Sequence, residues 1–265
     1  MPGDPSTTAF DPGFGIRWDA AGLRFEYGPE TFGPELEYRR LDQIRRSLRD
    51  AACGGPDPVY AIAMDVGRAE DAAELRRRML LFGTVIYSDG TLGEEPVRSQ
   101  GHVHVVAPHC RWSTPELFEI WEGRAIIYAQ QSADGQPGRC VAVEAGRGDQ
   151  VVVPPGWAHA AINANPASGM VCGAWCDRQY GFVYDQIRAR GGLAWFPLVR
   201  GGGIEWEPNP AYQRSPLTVK QARAYPELGL SPGEPIYAQF VRDPERVQWV
   251  SDPARYEGLW RRFEP

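Results

Sequence analysis

Hydrophobic and polar positions alternate in short runs through the middle of the chain. From about residue 79 to residue 199, short apolar stretches are separated by turn sequences such as SDG, ADGQPG and NANPASG. Strand side chains alternate between two faces, and Gly, Pro, Asn and Asp favour the turns between strands. The pattern predicts about nine strands, at residues 79–88, 95–106, 116–122, 124–131, 140–144, 150–153, 159–163, 169–176 and 193–199. Short antiparallel strands at such close intervals favour an all-β fold, either a sandwich or a jelly-roll barrel.

The segments on either side of this region have a different character. PELEYRRLDQIRRSLRDAAC places Leu41, Ile44 and Leu48 at helical spacing, which predicts a helix with a solvated basic face, and RAEDAAELRRRM is helical by propensity. The first residues are rich in Gly and Pro, and the Pro-rich tail ends in aromatic residues. We therefore expect an N-terminal arm (1–30), a main domain (31–210) and a C-terminal extension (211–265) that packs on the barrel or on a dimer partner.

Composition and charge narrow the function. A chain of 265 residues with 43% hydrophobic content can bury a large core. The net charge of -6 comes without any basic run, which disfavours nucleic acid and anionic membranes as partners. Neither a membrane span nor a signal peptide is visible in the hydrophobic pattern. These features favour a cytoplasmic protein that acts on a small molecule.

Histidine is scarce, yet three of the four histidines lie within SQGHVHVVAPHC. His102 and His104 are two residues apart, so on a strand both side chains point to the same face. The remaining distant histidine, His159, comes after the turn residues PPG and starts a predicted strand. We expect these three imidazoles to converge, whereas His109 is interpreted as a loop residue.

A carboxylate from PELFEIWEG completes this candidate set, and the candidates are Glu116, Glu119 and Glu122. Three neutral imidazoles and one carboxylate leave open positions on Fe, Mn, Co, Ni or Zn for substrate oxygens. We therefore predict one divalent first-row metal ion as the cofactor. Ligand type does not decide which of these metals it is.

The segment with His102 and His104 and the segment with His159 resemble the two motifs of the cupins. The second cupin motif is matched at each fixed position, namely Gly148, Pro154, Gly156, His159 and Asn163. The first motif is matched at His102 and His104, and its spacing to Gly123 selects Glu116 over Glu119. The first motif also departs from the cupins in two ways. Pro96 stands where many cupins have glycine, and residues 105–115 form an insertion between His104 and Glu116.

From about residue 25 to residue 210 the sequence resembles the archaeal-type glucose-6-phosphate isomerases, which are metal-dependent and typically dimeric. The resemblance rests on the order of RRLDQIRRSLRD, DPVYAI, GTVIYSDGTLGEE, GHVH, the second motif and GFVYDQI. It implies a cupin jelly-roll barrel and a homodimer. It implies His102, His104, Glu116 and His159 as metal ligands, and Tyr60, Thr84, Ser99, Gly101 and Tyr184 near the sugar phosphate.

Three departures from that family bear on the substrate. Gln100 stands where the family usually has lysine, Phe118 replaces a tyrosine, and Phe182 replaces a histidine. Each change removes a polar group, and Arg98 and Arg124 are candidates to replace the lost charge. The resemblance and these departures together imply, as an expectation, glucose 6-phosphate, a related phosphosugar or another polyhydroxy carbonyl compound as the substrate. An alternative interpretation is that bulky side chains simply fill the interior of a small barrel, and it applies to Phe118, Phe182, Trp121 and Trp157.

The expected activity is metal-dependent interconversion of an aldose and a ketose. Glu116 is the candidate base, with Tyr184 as a helper, although a hydride shift would need no base. Two alternatives stay open at this point. One is an Fe(II) dioxygenase acting on a more apolar molecule, and the other is a metabolite sensor without turnover.

Overall fold

The chain is built mainly of β-strands, and the computed structural model describes residues 10–265. The first nine residues of the predicted arm lie outside the described residues. The strands are β1 (Ile16–Asp19), β2 (Arg24–Tyr27), β3 (Thr31–Phe32), β4 (Glu37–Arg39), β5 (Tyr60–Met64), β6 (Gly67–Arg68), β7 (Leu80–Tyr87), β8 (Thr91–Leu92), β9 (Glu95–Pro96), β10 (Val103–His104), β11 (Val106–Ala107), β12 (Trp112–Ser113), β13 (Glu116–Glu122), β14 (Ala125–Gln130), β15 (Cys140–Ala145), β16 (Gln150–Val153), β17 (Ala158–Asn163), β18 (Met170–Asp177), β19 (Phe182–Val183), β20 (Trp195–Arg200), β21 (Gly203–Pro208) and β22 (Leu217–Gln221).

Helices are short and lie outside the main sheets. The α-helices are α1 (Leu41–Ile44), α2 (Ala72–Arg77), α3 (Asp185–Ala189), α4 (Ile236–Arg242) and α5 (Glu257–Trp260). Short 3-10 helices cover Arg45–Ser47, Ala69–Asp71, Pro226–Leu228, Pro244–Val250 and Pro253–Tyr256. No helix within residues 10–265 is long and apolar enough to cross a membrane.

Two sheets form a jelly-roll barrel, as the sequence predicted. The six-stranded sheet has the order β16-β13-β18-β7-β5-β4 and is antiparallel throughout. The four-stranded sheet has the order β17-β14-β15-β22, and its last pair is parallel. Side chains from both sheets, such as Phe118 and Cys172 from one and Val143 and Ala161 from the other, form one apolar cluster inside the barrel. The barrel is therefore closed by packing between the inner faces of the two sheets, whose inward-facing side chains alternate along each strand with outward-facing ones.

Strand β7 shows how alternation divides the interior from the outer layer. Leu81 and Tyr87 belong to the cluster inside the barrel, whereas Phe82 and Ile86 belong to a second cluster on the outer face. N-terminal and C-terminal residues such as Phe14, Phe240 and Trp249 cover that outer face. The predicted C-terminal extension thus contributes to the core, while the limits of the three predicted parts stay a prediction.

Two elements differ from the sequence prediction. The long helix predicted for residues 34–53 is wrong, because Glu37–Arg39 pairs with Tyr60–Met64 at the edge of the six-stranded sheet and leaves only one short turn of α-helix behind it. The single strand predicted for residues 95–106 is interrupted, because Gly101 has a positive φ of 83° and His102 pairs with His159 only through an isolated bridge. The helix predicted after residue 68 is confirmed.

Candidate metal centre

Four side chains predicted to be metal ligands meet at the mouth of the barrel. One ligand atom from each of His102, His104, Glu116 and His159 lies within 4.8 Å of the others, and we call these four residues the histidine–glutamate cluster. Glu116 starts β13 in the six-stranded sheet, and His159 lies on β17 in the four-stranded sheet. The bridge between His102 and His159 brings the first histidine segment against the second, as main-chain bonds of 3.0 and 2.9 Å show.

Backbone carbonyls orient two of the imidazoles. Nδ1 of His104 is 2.8 Å from the carbonyl oxygen of Thr114, and Nδ1 of His159 is 3.0 Å from that of Trp157. A carbonyl can only accept, so each Nδ1 is assigned a proton, and each Nε2 is the nitrogen that is left to bind a metal. This is the arrangement that metal-binding histidines adopt, with the second ring nitrogen fixed by a hydrogen bond.

Two imidazole Nε2 atoms of the cluster lack a hydrogen-bond partner in the described part of the chain. Nε2 of His102 and Nε2 of His104 are buried without a hydrogen-bond partner, although the latter lies 3.2 Å from Oε2 of Glu116. Buried polar atoms are rarely left unsatisfied. Imidazole and carboxylate donors suit first-row divalent metals, so this donor set fits such an ion.

Glu116 and His102 have charge states in the free cluster that suit metal binding, whereas burial of His104 is outweighed by its contact with Glu116, which raises the pKa of that imidazole. Burial acts to raise the pKa of Glu116, but the adjacent imidazoles of His104 and His159 outweigh it and hold the pKa well below its ordinary value. Burial, with the neighbouring His159 and His104, lowers the pKa of His102 well below its ordinary value. A carboxylate and a neutral imidazole are the forms that ligate metals.

With this geometry in view, comparison with known proteins decides the family. The model of the family described as Glucose-6-phosphate isomerase (GPI) matches residues 45–213. The chain belongs to the glucose-6-phosphate isomerase (GPI) family. No curated protein matches the sequence.

Solved structures with weak similarity to this GPI family member include an oxalate oxidase, a vicilin and an oxalate decarboxylase. A recombinant oxalate oxidase in complex with glycolate is 13% identical, with a TM-score of 0.34 over 47% of this chain and 54% of that one. Vicilin from Corylus avellana is 12% identical, with a TM-score of 0.34 over 48% of this chain and 32% of that one. Oxalate decarboxylase from Bacillus subtilis is 13% identical, with a TM-score of 0.35 over 59% of this chain and 31% of that one. The chain thus spans about half of the matched oxalate oxidase and about a third of the other two.

Aromatic side chains surround the cluster in this GPI family member. The ring of Phe182 lies 4.3 Å from that of His102, and the ring of Phe118 lies 6.2 Å from that of His159. Tyr184, predicted to help catalysis, has its ring 6.2 Å from that of His102. Phe118 and Phe182, two of the three positions that depart from the family pattern, therefore line the site and make its walls more apolar.

Three other predicted substrate contacts lie on the barrel interior or beside the cluster. Tyr60 is buried, with its ring 5.1 Å from that of Tyr87 in the interior cluster. The hydroxyl oxygen of Ser99 accepts a bond of 3.1 Å from the main chain of Ala161. Gly101 precedes His102 in the left-handed region, and an added Cβ would lie 2.9 Å from Leu193. Glycine is needed there to turn the chain into the cluster.

Two predicted substrate contacts do not fit their positions. Thr84 occupies the same face of β7 as Phe82 and Ile86, so its side chain points away from the barrel interior that holds Glu116. Arg98 is 3% exposed and forms an internal ion pair with Glu95, at 2.6 Å. Strand alternation in the first case and a competing carboxylate in the second argue against contact of these residues with the sugar phosphate, and their assignment stays a prediction.

The remaining candidates lie apart from the cluster. Arg124 is exposed in the turn after β13, and Trp121 packs on the outer face of the six-stranded sheet. His109 lies near the C-terminal extension, with Nε2 3.0 Å from the carbonyl oxygen of Ser251 and 3.2 Å from Asp177. Its interpretation as a loop residue outside the ligand set agrees with this position.

Sequence reasoning missed three residues close to the site. The thiol of Cys176 lies 3.2 Å from Oε1 of Glu116, and strand alternation from Cys172 was the signal that pointed it inward. Arg39 was assigned to the solvated face of a helix but pairs with Tyr60 on β5. Arg188 comes just after the GFVYDQI segment and stacks on Tyr184 at 4.7 Å.

Proposed function

We propose that this protein is a metal-dependent isomerase that interconverts an aldose and a ketose, with a phosphosugar as its substrate. The observation that carries the proposal is the cluster of His102, His104, Glu116 and His159 within a chain of the GPI family. The four residues would hold one divalent first-row metal ion. When bound, such an ion acts as a Lewis acid toward the carbonyl and adjacent hydroxyl oxygens of the substrate.

Glu116 is the proposed base for proton transfer between neighbouring carbons. Its Oε2 lies 2.8 Å from His159 and 3.2 Å from His104, which leaves Oε1, near the Cys176 thiol, as the oxygen that can turn toward a substrate. Burial raises the pKa of Tyr184, so this phenol keeps its proton and would donate a hydrogen bond. A hydride shift between the two carbons would need neither group as a base.

The apolar walls contribute by limiting water at the reacting atoms. Phe118 is 6% exposed, and Phe182 covers one side of both His102 and His104, at 4.3 and 5.8 Å between ring centroids. A dry environment strengthens electrostatic interactions inside a site. We infer that these rings favour a small substrate held closely against the histidines.

The test is a coupled assay for interconversion of fructose 6-phosphate and glucose 6-phosphate. Protein stripped of metal and reloaded with Fe(II), Mn(II), Co(II), Ni(II) or Zn(II) should turn over only after reloading. His159→Ala is the control, and it should show no metal-dependent turnover. Absence of turnover with every metal, while metal remains bound to the unsubstituted protein, would reject this substrate pair.

A second candidate is an Fe(II) dioxygenase acting on a more apolar molecule. The observation in its favour is the contact of Phe182 with His102, where the resemblance led us to expect a polar residue. Oxygen consumption by the Fe(II)-loaded protein, with no isomerisation of either hexose phosphate, would favour this candidate over the isomerase.

A further inference from the structure

We propose that Cys176 is a positioning residue of the candidate metal centre, because its thiol donates a hydrogen bond to Glu116 and so selects which carboxylate oxygen faces the metal. The inference deepens the proposed function and rests on it for the presence of the metal. The hydrogen bond itself is argued from sheet register, burial and distance, and it can be measured in the metal-free protein.

Cys176 is the neighbour of Glu116 across the six-stranded sheet. Leu117 on β13 lies directly opposite Trp175 on β18, so the next residues of the same antiparallel pair, Glu116 and Cys176, come side by side. Directly opposed residues project to the same face. The sulfur of Cys176 lies 3.2 Å from Oε1 of Glu116, and Cys176 is 1% exposed. The contact therefore follows from the register of the two strands and is shielded from water.

The thiol is the donor in this contact. An ionised carboxylate can only accept a hydrogen bond, whereas a thiol carries one proton that it can donate. A thiolate here would place two buried negative charges side by side, so the thiol keeps its proton. The other cross-strand neighbours in this row are apolar, namely Val153 beside Glu116 and Leu81 beside Cys176. Within this row, the Cys176 thiol is thus the one side chain that can donate to Oε1.

The two oxygens of Glu116 have different surroundings. Oε2 lies 2.8 Å from Nε2 of His159 and 3.2 Å from Nε2 of His104, whereas Oε1 faces the thiol. The terminal torsion of a glutamate side chain has a broad distribution, so without a partner the carboxylate is free to rotate. A donor on Oε1 removes that freedom and keeps Oε2 among the imidazole nitrogens.

The sulfur of Cys176 is not itself among the converging ligand atoms. Within residues 10–265 the atoms that meet within 4.8 Å come from the histidine–glutamate cluster, which does not include this cysteine. Nε2 of His102 and Nε2 of His104, which are buried without a hydrogen-bond partner in this part of the chain, point to a metal bound inside that cluster. Hydrogen-bond partners behind the ligands orient them and tune metal affinity, and this is the role that the geometry gives to Cys176.

Cys172 has the same kind of position without the carboxylate. It is 1% exposed and lies four residues from Cys176, on the same face of β18 and in the same interior cluster. Its cross-strand neighbours are Ile120 and Val85, whose side chains accept no hydrogen bond. A buried free cysteine of this kind behaves as a small hydrophobic residue. Cys172 is therefore the matched control for Cys176.

The first measurement is the S–H stretching band in the infrared spectrum of the metal-free protein. Difference spectra with Cys176→Ala and Cys172→Ala assign the band of each thiol. Donation to a carboxylate weakens the S–H bond, so the Cys176 band should lie at a lower frequency than the Cys172 band. It should move to a higher frequency in Glu116→Ala, and a Cys176 band that this variant leaves unchanged would overturn the hydrogen bond.

The second measurement is the affinity for Co(II), followed by visible absorption. Loss of a hydrogen-bond partner behind a ligand typically weakens metal binding by tenfold to a hundredfold, so Cys176→Ala should bind Co(II) more weakly by about that factor. Cys176→Ser keeps a donor and should recover part of the affinity, whereas Cys172→Ala should bind Co(II) as the unsubstituted protein does. Circular dichroism checks folding, and if Cys176→Ala loses structure, Cys176→Val takes its place because it fills the space without a donor.

Three results would overturn the positioning role. These are no Co(II) binding by the unsubstituted protein, equal Co(II) affinity of this protein and the variant without a donor, and loss of the Cys176 S–H band on addition of metal. The last result would indicate that the thiolate is a metal ligand. The expected infrared bands and Co(II) affinities, without turnover of either hexose phosphate, would reject the isomerase and keep the positioning role.

Discussion

Nε2 of His159 and Oε2 of Glu116 are 2.8 Å apart, although the two residues belong to different sheets of the barrel. The contact is buried, with His159 1% and Glu116 6% exposed. It links the two sheets at the barrel mouth. A metal ion held by both residues would make the same link.

The first prediction concerns the ligands themselves. Glu116→Ala and His159→Ala should each reduce metal affinity by more than about a hundredfold, because even loss of an outer hydrogen-bond partner typically costs tenfold to a hundredfold. The fold should persist, since the barrel interior is packed by apolar residues of both sheets. Metal per chain, measured by elemental analysis after dialysis, and circular dichroism check the two parts of this prediction.

His109→Ala is the matched control, because this histidine lies outside the cluster and contacts Ser251 and Asp177. It should retain metal as the unsubstituted protein does. Full metal occupancy in both Glu116→Ala and His159→Ala would show that the cluster is not the metal site.

The barrel strands and the meeting of the three histidines were predictable because both depend on local spacing, whereas the choice of Glu116 rested on the cupin resemblance. Short apolar runs such as QVVV predicted β16 at the residues where it occurs, and a spacing of two placed His102 and His104 on one face. Gly156 and the residues around it positioned His159 at the start of β17. Strand periodicity and turn chemistry are read directly from neighbouring residues, so little long-range information was needed.

Elements that depend on long-range pairing could not be predicted in the same way. Residues 37–39 share helical periodicity with residues 41–48, but the sheet edge at Tyr60–Met64 captures them as a strand. Thr84 was assigned to the substrate by resemblance, and only the register of β7 against β18 shows that it faces the outer layer. The structural role of Arg98 likewise depends on its ion pair with Glu95, which the sequence alone does not show.

The second prediction separates a structural Arg98 from a substrate contact. Arg98 and Glu95 are both almost fully buried, and Arg98 also donates bonds to the carbonyl oxygens of Ser47, at 2.7 Å, and Ser99, at 3.0 Å. Arg98→Met leaves the Glu95 charge buried and unpaired, so the free energy of unfolding should fall by about 3–5 kcal/mol. Urea denaturation measures this change. The double variant Arg98→Met/Glu95→Leu should recover part of the loss, and a single variant as stable as the parent would contradict the structural role.

The third prediction concerns the attachment of the C-terminal extension. The hydroxyl of Tyr237 accepts a bond of 2.8 Å from the main chain of Arg68 and donates one of 3.0 Å to Asp71. Tyr237→Phe removes only the hydroxyl and leaves the main-chain N–H of Arg68 without its partner, while Asp71 keeps its ion pair with the Arg68 side chain, so the free energy of unfolding should fall by about 1–3 kcal/mol. Tyr256→Phe, on the same extension but partly exposed, is the control and should change stability little. Equal melting curves for the two variants would show that Tyr237 does not anchor the extension.

The fourth prediction concerns the pH dependence of stability at Glu119. This side chain is 1% exposed on the outer face of the six-stranded sheet, where it accepts bonds of 3.0 Å from Trp121 and from the main chain of Ile236. Burial raises its pKa to about 8, against the opposing effect of those two donors, from an ordinary value of 4.5. Between these values the folded protein keeps a proton that the unfolded chain releases.

The stability contributed by protonated Glu119 is therefore present in full below about pH 4.5 and is lost as the pH rises through about 8. The slope is on the order of 1 kcal/mol per pH unit within that window. Glu119→Gln has no titrating proton, so the difference in free energy of unfolding between parent and variant should change steadily from about pH 5 to about pH 8. Glu35→Gln, at an exposed position, is the control and should run parallel to the parent. If Glu119→Gln also runs parallel to the parent across this range, the carboxyl is ionised in the folded protein and the buried proton is refuted.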